Sequence, residues 1–217
     1  MSWLSRRDRP VAARTKWLVG SAAAAVILAG GITAAVAATD SDSGSGTPAS
    51  SSADAGFAQD MAVHHQQAVE MSYIVRDRTD DEEVRRLAYD IAQTQANQRG
   101  MLLGWLDLWE LPKVPEGAPM AWMGMGDMPA GEDGALMPGM ATRTELDRLG
   151  KLSGKKAEVL YLRLMTRHHR GGVHMAEGCV QRCEVPVERR LAKGMVESQE
   201  SEIALMSTML KARGAKP

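Results

Sequence analysis

The feature that most limits how this chain can fold is a fifteen-residue stretch that it carries twice. The first copy, FAQDMAVHHQQAVEM, runs from Phe57 to Met71, and the second, YLRLMTRHHRGGVHM, from Tyr161 to Met175. The two superimpose without a gap when position n is matched to n + 104. Met61 then meets Met165, His64 and His65 meet His168 and His169, Val69 meets Val173, and Met71 meets Met175. Four of the protein's five histidines occupy these paired positions. Further on, Arg85-Arg86-Leu87-Ala88 meets Arg189-Arg190-Leu191-Ala192, and Gln95 meets Gln199. The repeated unit is therefore about fifty residues, the size of one helical hairpin.

Each residue advances about 100° around an α-helix. With Met61 as origin, Phe57, His64, His65, Ala68, Met71 and Ser72 share an arc of roughly 120°, as do Tyr161, His168, His169, Gly172, Met175 and Ala176 in the second copy. That arc is the inward stripe of an amphipathic helix, with the histidines at its edges. Ala68 and Gly172 are small where the stripe is centred, so another helix can approach there. His174 lies on the opposite side and reads as a surface residue. Ile91, Gln95, Gln98, Leu102 and Trp105 keep helical core spacing, and so do Met195, Gln199, Glu202, Met206 and Met209. Buried polar groups need partners, which makes these Gln and Glu side chains the expected hydrogen-bond partners of the histidines. One such hairpin leaves its apolar face exposed, and two packed together bury it. The 217-residue chain is thus expected to be all-α, a four-helix bundle of two repeated αα-hairpins.

Residues 1–16 form a basic segment with Arg6, Arg7, Arg9, Arg14 and Lys16, followed by an uncharged apolar run, Trp17 to Ala38. Twenty-two such residues can span a bilayer, and the basic flank places the N-terminus in the cytoplasm. Ala35-Val36-Ala37 resembles a signal-peptidase site, but the run is long for a signal peptide, which favours a retained anchor. No cysteine lies near residue 38, so a lipoprotein anchor is excluded. On either reading the rest of the chain is extracytoplasmic, tethered to a membrane or secreted.

Residues 39–56 are Ser, Gly, Asp, Ala and Thr with a single Pro, a flexible tether. The bundle is expected over 57–212: helices at 57–78, from about Thr79–Glu83 to Glu110, at 155–182 and at 187–212. A Met-rich crossover, 111–153, joins the halves, with a short helix near 142–150. Cys179 and Cys183 end the third long helix. Cysteines outside the cytoplasm usually pair. This spacing strains a disulfide within a regular helix, although a frayed end before Pro186 would accept one. A dithiol metal site is the other reading. The first repeat has Val75 and Thr79 at these positions.

Imidazole suits Cu, Zn, Ni and Fe, so His64, His65, His168 and His169 are candidate metal ligands. Adjacent histidines diverge by about 100°, so a shared ion needs histidines from both copies across a pseudo-twofold axis. In the crossover, Met120, Met123, Met125 and Met128 are spaced Met-x-x-Met-x-Met-x-x-Met among Gly and Pro. No regular helix face has that spacing, and thioethers are soft ligands that select Cu(I). Their alternative is adaptable filler over the bundle. Copper is therefore the expected cofactor, with Cu(I) favoured and Cu(II) or Zn as alternatives.

The Glu-x-x-His pairs of a di-iron carboxylate bundle do not occur in the chain, and no Ser or Cys has the local context of a hydrolytic nucleophile. The chain is read as a non-enzyme, with a metal-dependent redox enzyme as an alternative. A net charge of −1 gives no electrostatic case for nucleic acid. The small residues at 68 and 172 would equally serve an intermolecular contact, which leaves a homo-oligomer open.

The two motifs Met-x-x-His-His-x-x-Ala/Gly-Val-x-Met, each followed by a Gln-bearing helix, resemble the domain of unknown function family 305 over about residues 56–212. The resemblance implies a ferritin-like four-helix bundle, typically exported, with some Met-rich members linked to copper binding and copper resistance. It makes His64, His65, His168 and His169, with Met61, Met71, Met165 and Met175, the candidate site. Gly171-Gly172 stands where the second motif commonly reads Gly-Ala, which weakens the helix by up to about 1 kcal/mol per glycine. Two functions follow as expectations: a metal-binding protein capturing or sequestering copper outside the cytoplasm, or a structural module with a buried His/Gln/Glu hydrogen-bond network.

Overall fold

The structure, a computed structural model, describes residues 46–128 and 131–216. The expected apolar anchor at 17–38 and the basic segment before it lie outside them. Among the described residues no helix is long and apolar enough to cross a membrane. The described chain is all-α: five helices, α1 (Ala53–Arg76), α2 (Glu82–Leu108), α3 (Arg143–Lys151), α4 (Gly154–Arg182) and α5 (Pro186–Ala212), with two single turns of 3₁₀ helix and no strand. α1 pairs with α2, α4 pairs with α5, and the two hairpins meet through α1 and α4.

The local signals set most of the helix ends. The Asp81 carboxylate accepts from the Val84 N–H at 3.0 Å and starts α2, while Pro186 occupies the first turn of α5. Thr142 and Glu145 form a reciprocal capping box on α3. α1 begins at Ala53, four residues before the expected Phe57, because Ser52 caps it by accepting from Ala55 N–H at 3.1 Å.

The apolar core is divided into two clusters. One contains Val75, Val84, Ile91, Tyr161, Leu162 and Met206 with Met71 and Met165. The other contains Phe57, Leu102, Leu106, Met195, Cys179 and Cys183 with Met61 and Met175. In every long helix the residues between the clusters are polar: His64 and His65 in α1, Gln95 and Gln98 in α2, His168 and His169 in α4, Gln199 and Glu202 in α5. Antiparallel hairpins bring these four pairs to one level, so a polar layer separates two apolar ones.

The repeat extends to the ends of the bundle. Asp54 of α1 accepts from the Glu184 and Val185 N–H groups at 2.9 and 2.7 Å and so holds the α4–α5 turn. Its counterpart Glu158 of α4 accepts the Thr79 hydroxyl at 2.7 Å at the α1–α2 turn, and also binds Arg213. Each hairpin's turn is fastened by a buried carboxylate from the other hairpin.

The crossover is laid tightly along the bundle. Buried Asp60 accepts the Met120 N–H at 2.8 Å and the Trp122 indole N–H at 2.9 Å, holding Met120 in the left-handed region at φ 66°. Gln67 grips Ala141 through both backbone groups, at 2.9 and 2.6 Å. At the position equivalent to Gln67 the second repeat has Gly171, and a Cβ there would lie 2.1 Å from the Pro138 carbonyl oxygen. A Cβ on Gly172 would instead meet Gln199 Oε1, a side-chain end, at 2.4 Å.

The two glycines should therefore respond differently. Gly171→Ala is expected to lower stability by about 1–3 kcal/mol, because pinned backbone must move. Gly172→Ala should leave the melting temperature nearly unchanged: Gln199 can turn aside, and alanine restores up to about 1 kcal/mol of helix propensity. Calorimetric unfolding of the two variants checks this, and equal losses would contradict the seating of the Pro138–Gly139 backbone on α4.

Candidate metal centre

All four paired histidines are fully buried, rather than at the edge of the stripe. The structure divides each pair between two tasks. His64 and His168 turn toward one another across the α1–α4 interface, with ring centroids 3.7 Å apart and planes inclined by 30°. His168 also donates from Nε2 to the His64 backbone carbonyl at 3.0 Å. His65 and His169 turn into their own hairpins. His65 Nε2 lies 2.9 Å from Gln98 Oε1, and His169 Nε2 lies 2.6 Å from Glu202 Oε2. Gln98 and Glu202 are themselves paired positions of the repeat.

These partners fix the tautomers. A carbonyl, an amide oxygen and a carboxylate all accept, so Nε2 carries the proton in His65, His168 and His169. Nδ1 of each ring is then a bare lone pair, buried and without a partner in the protein. Neither nitrogen of His64 has a hydrogen-bond partner. The Pro138 carbonyl comes close enough to that ring to oppose its loss of basicity, without reaching hydrogen-bond geometry. Gln95 and Gln199, expected to pair with the histidines, leave their side-chain amides unpartnered. Three residues along a helix leave Gln98 and Glu202 nearer the rim, where a long side chain reaches back to the ring.

Burial is the main cause of low basicity in His64, His65 and His168. It pushes His64 and His65 down to about 3, with neighbouring histidines adding to the fall and the Gln98 bond opposing it at His65. His168 is held well below the ordinary imidazole range by burial and then by His64, His169 and His65. These rings are neutral at physiological pH, the form that binds metal.

The methionines flank this layer. Met61, Met71, Met165 and Met175 are fully buried, two in each apolar cluster. The crossover methionines differ among themselves in burial. Met120 is in the core, Met123 and Met125 are half-buried against the Phe57–Met175 cluster, and Met128 alone of the four is exposed. The Met123 thioether packs where α4 has Gly178, whose Cβ would come within 2.8 Å of the sulfur. The clamps Asp60, Gln67 and Gly171 were not identified from the sequence. Their signal is the mismatch between copies, since Asp60 and Gln67 face Leu164 and Gly171 at the paired positions.

The fold and the site together define an all-α protein of two repeated hairpins with a histidine layer buried between them. The chain belongs to the family described as domain of unknown function, DUF305, whose family model matches residues 54–210. A solved DUF305 protein from Streptomyces coelicolor, provisionally described as secreted, is 73% identical, with a TM-score of 0.72 over 77% of this chain and 98% of that one. A DUF305 fragment from Deinococcus radiodurans is 31% identical, with a TM-score of 0.61 over 74% and 96%. CopM in its Cu(II)-bound form is 25% identical, with a TM-score of 0.57 over 74% and 96%. No protein with a curated description matches the chain.

The depressed pKa values give a direction to acid unfolding. A histidine with a folded value near 3 and an unfolded one near 6.5 stabilises the fold fully above about pH 6.5, and that stability is lost as pH falls toward 3. The melting temperature of the metal-free protein should fall between pH 7 and pH 4. In His64→Leu the fall should be shallower, and at pH 7 the variant should lose no more than about 1 kcal/mol, because neither replaced nitrogen had a partner. Acid limbs of equal slope in parent and variant would show that His64 already carries a proton in the folded protein.

Proposed function

We propose that this protein binds copper outside the cytoplasm, capturing or sequestering it in the histidine layer of a ferritin-like four-helix bundle. One observation carries the reading. Three buried histidines donate Nε2–H to a carbonyl, an amide and a carboxylate, and keep an unpartnered Nδ1 lone pair. Histidine ligands of metals are oriented by outer partners in this way, and a carboxylate partner raises ligand basicity. At His65 and His168 the low pKa keeps the ring neutral, so a metal binds there with little competition from protons.

The choice of copper rests on the donor set and on a relative. Imidazole beside thioether favours Cu(I), with Cu(II) and Zn(II) as alternatives. CopM, whose Cu(II)-bound form has this fold, supports the same choice. Met61, Met71, Met165 and Met175 lie on either side of the histidines, and Met120, Met123, Met125 and Met128 are proposed as an outer set through which the ion is taken up. The N-terminal apolar run would keep the bundle at the outer membrane surface or direct its release. A homo-oligomer is compatible with this reading and not required by it.

A structural role is the second reading, favoured by the two His–Gln/Glu bonds that tie α1 to α2 and α4 to α5. It accounts poorly for His64, whose ring makes no hydrogen bond. The full chain, purified metal-free, should bind Cu(I) in titrations against a competing chelator. Replacing His64, His65, His168 and His169 should abolish binding, and replacing Met120, Met123, Met125 and Met128 should weaken it. Unchanged copper binding in the fourfold His variant would end the proposal. A large stability loss in that variant, together with no metal bound by the parent, would establish the structural reading.

A further inference from the structure

A second group of soft and anionic donors lies at the far end of the Phe57–Met175 cluster, away from the histidine layer. Cys179 and Cys183 are joined by a disulfide at the end of α4, with Cα atoms 4.8 Å apart. Glu188, in the first turn of α5, brings a carboxylate oxygen within 4.8 Å of both sulfurs. Among the described residues this is the one group of three or more His, Cys, Asp or Glu donors gathered closely enough to share an ion. All three side chains are buried, Glu188 completely; neither of its carboxyl oxygens accepts a hydrogen bond, and the carboxyl lies against the Asp54 carboxylate.

An acidic residue in the first turn of a helix usually faces water and the backbone N–H groups. Here Asp54 already accepts the N–H groups of Glu184 and Val185, so Glu188 is not needed as a cap. Burial, then the Asp54 charge and a hydrogen bond to the Asp54 carboxylate, push its carboxyl up to about 9.

The repeat supplies an internal comparison. The positions paired with Cys179, Cys183 and Glu188 are Val75, Thr79 and Val84, which are likewise buried. The hairpin end therefore folds with two valines and a threonine, and packing alone does not call for a sulfur–sulfur–carboxylate set.

We propose that Cys179, Cys183 and Glu188 form a redox-gated metal site that takes a thiophilic cation, Zn(II) or Cu(I), once the disulfide is reduced. A dithiol reductant opens the S–S bond by thiol–disulfide exchange, leaving as its own disulfide while the cysteines become two thiols. The entering ion displaces the two thiol protons and the carboxyl proton. Rotation of the three side chains brings the donors to the usual Zn–S and Zn–O lengths of about 2.3 and 2.1 Å, with water as a fourth ligand. A disulfide oxidant closes the site by the reverse exchange: the two sulfurs rejoin as the Cys179–Cys183 bond, the oxidant takes up two protons and leaves as its dithiol, and the ion is released. This centre is separate from the histidine layer and does not depend on copper binding there.

The test compares the oxidised and phosphine-reduced full chain, both carrying the fourfold His replacement, titrated with Co(II) and then Zn(II). The reduced chain should bind one additional ion and show thiolate-to-cobalt charge-transfer absorption that the oxidised chain lacks. Glu188→Gln keeps the shape of a neutral carboxyl, so it should fold. It should weaken binding by more than the roughly 10–100-fold that loss of an outer partner costs. The combined variant Cys179→Val, Cys183→Thr and Glu188→Val copies the other hairpin, so it should fold and bind nothing. No additional ion in the reduced chain overturns the proposal, and so does an affinity that Glu188→Gln leaves unchanged. If the fourfold His background does not fold, the same comparison is made in the parent by the charge-transfer band, which histidine does not produce.

Discussion

Two imidazoles stacked 3.7 Å apart set the distance at which the halves of this protein meet. They lie on α1 and α4, the helices through which the hairpins touch, and close approach there requires small neighbours. Ala68 is the small residue there on α1, whereas Gly172 opens toward α5 of its own hairpin, where the Gln199 side chain lies directly against it. The layer is costly by ordinary packing standards. Within it His64, His65, Gln95, His168, His169 and Gln199 all keep buried polar atoms without partners, and apolar residues of similar volume would avoid that cost. This layer, present in both copies of the repeat where α1 meets α4, is the feature on which the proposed metal binding rests.

The crossover turns a symmetric pair of hairpins into an asymmetric protein. It is fastened to α1 by side chains, Asp60 and Gln67, and to α4 by close backbone approach at Gly171. Arg167 adds a grip on the Met140 carbonyl and an ion pair with Glu145 of α3. The Pro138–Ala141 stretch consequently lies over the His64 side of the polar layer. Any ion reaching the histidines from that side must pass a segment held by about four separate contacts.

Much of this was legible in the chain, and the reasons differ by residue. The inward face of α1 and α4 follows from periodicity alone, since Met61, His64, His65, Ala68 and Met71 can share one arc only in a helix. The helix ends at Asp81, Thr142 and Pro186 follow from capping chemistry. The choice of Gln98 over Gln95 was not legible. Both lie on the core stripe, and side-chain reach, which spacing does not encode, decides between them. Nor was the burial of Met120, because a Gly/Pro-rich path is set by distant clamps. Glu188 reads in sequence as an ordinary acidic first turn. Only the folded turn brings it against Cys179 and Cys183.

The differences between the two copies carry information that their likeness does not. Where Gln98 faces His65, the paired position presents Glu202 to His169, so one half places a charge beside its imidazole and the other a neutral amide. A carboxylate orients a ligand ring more strongly than an amide does, so in the proposed site the two inward histidines would be unequal ligands despite equal burial. The same divergence separates Val75, Thr79 and Val84 from Cys179, Cys183 and Glu188. A duplication kept only for its packing would have little reason to exchange apolar residues for charged or thiol groups at fully buried positions. The exchange runs the other way at Asp60 and Gln67, buried in the first half where the second has Leu164 and Gly171, and there the polar side chains clamp the crossover. Each half thus carries its own buried polar groups on a shared packing frame: those of the first hold the crossover, and those of the second supply donors of the proposed metal sites.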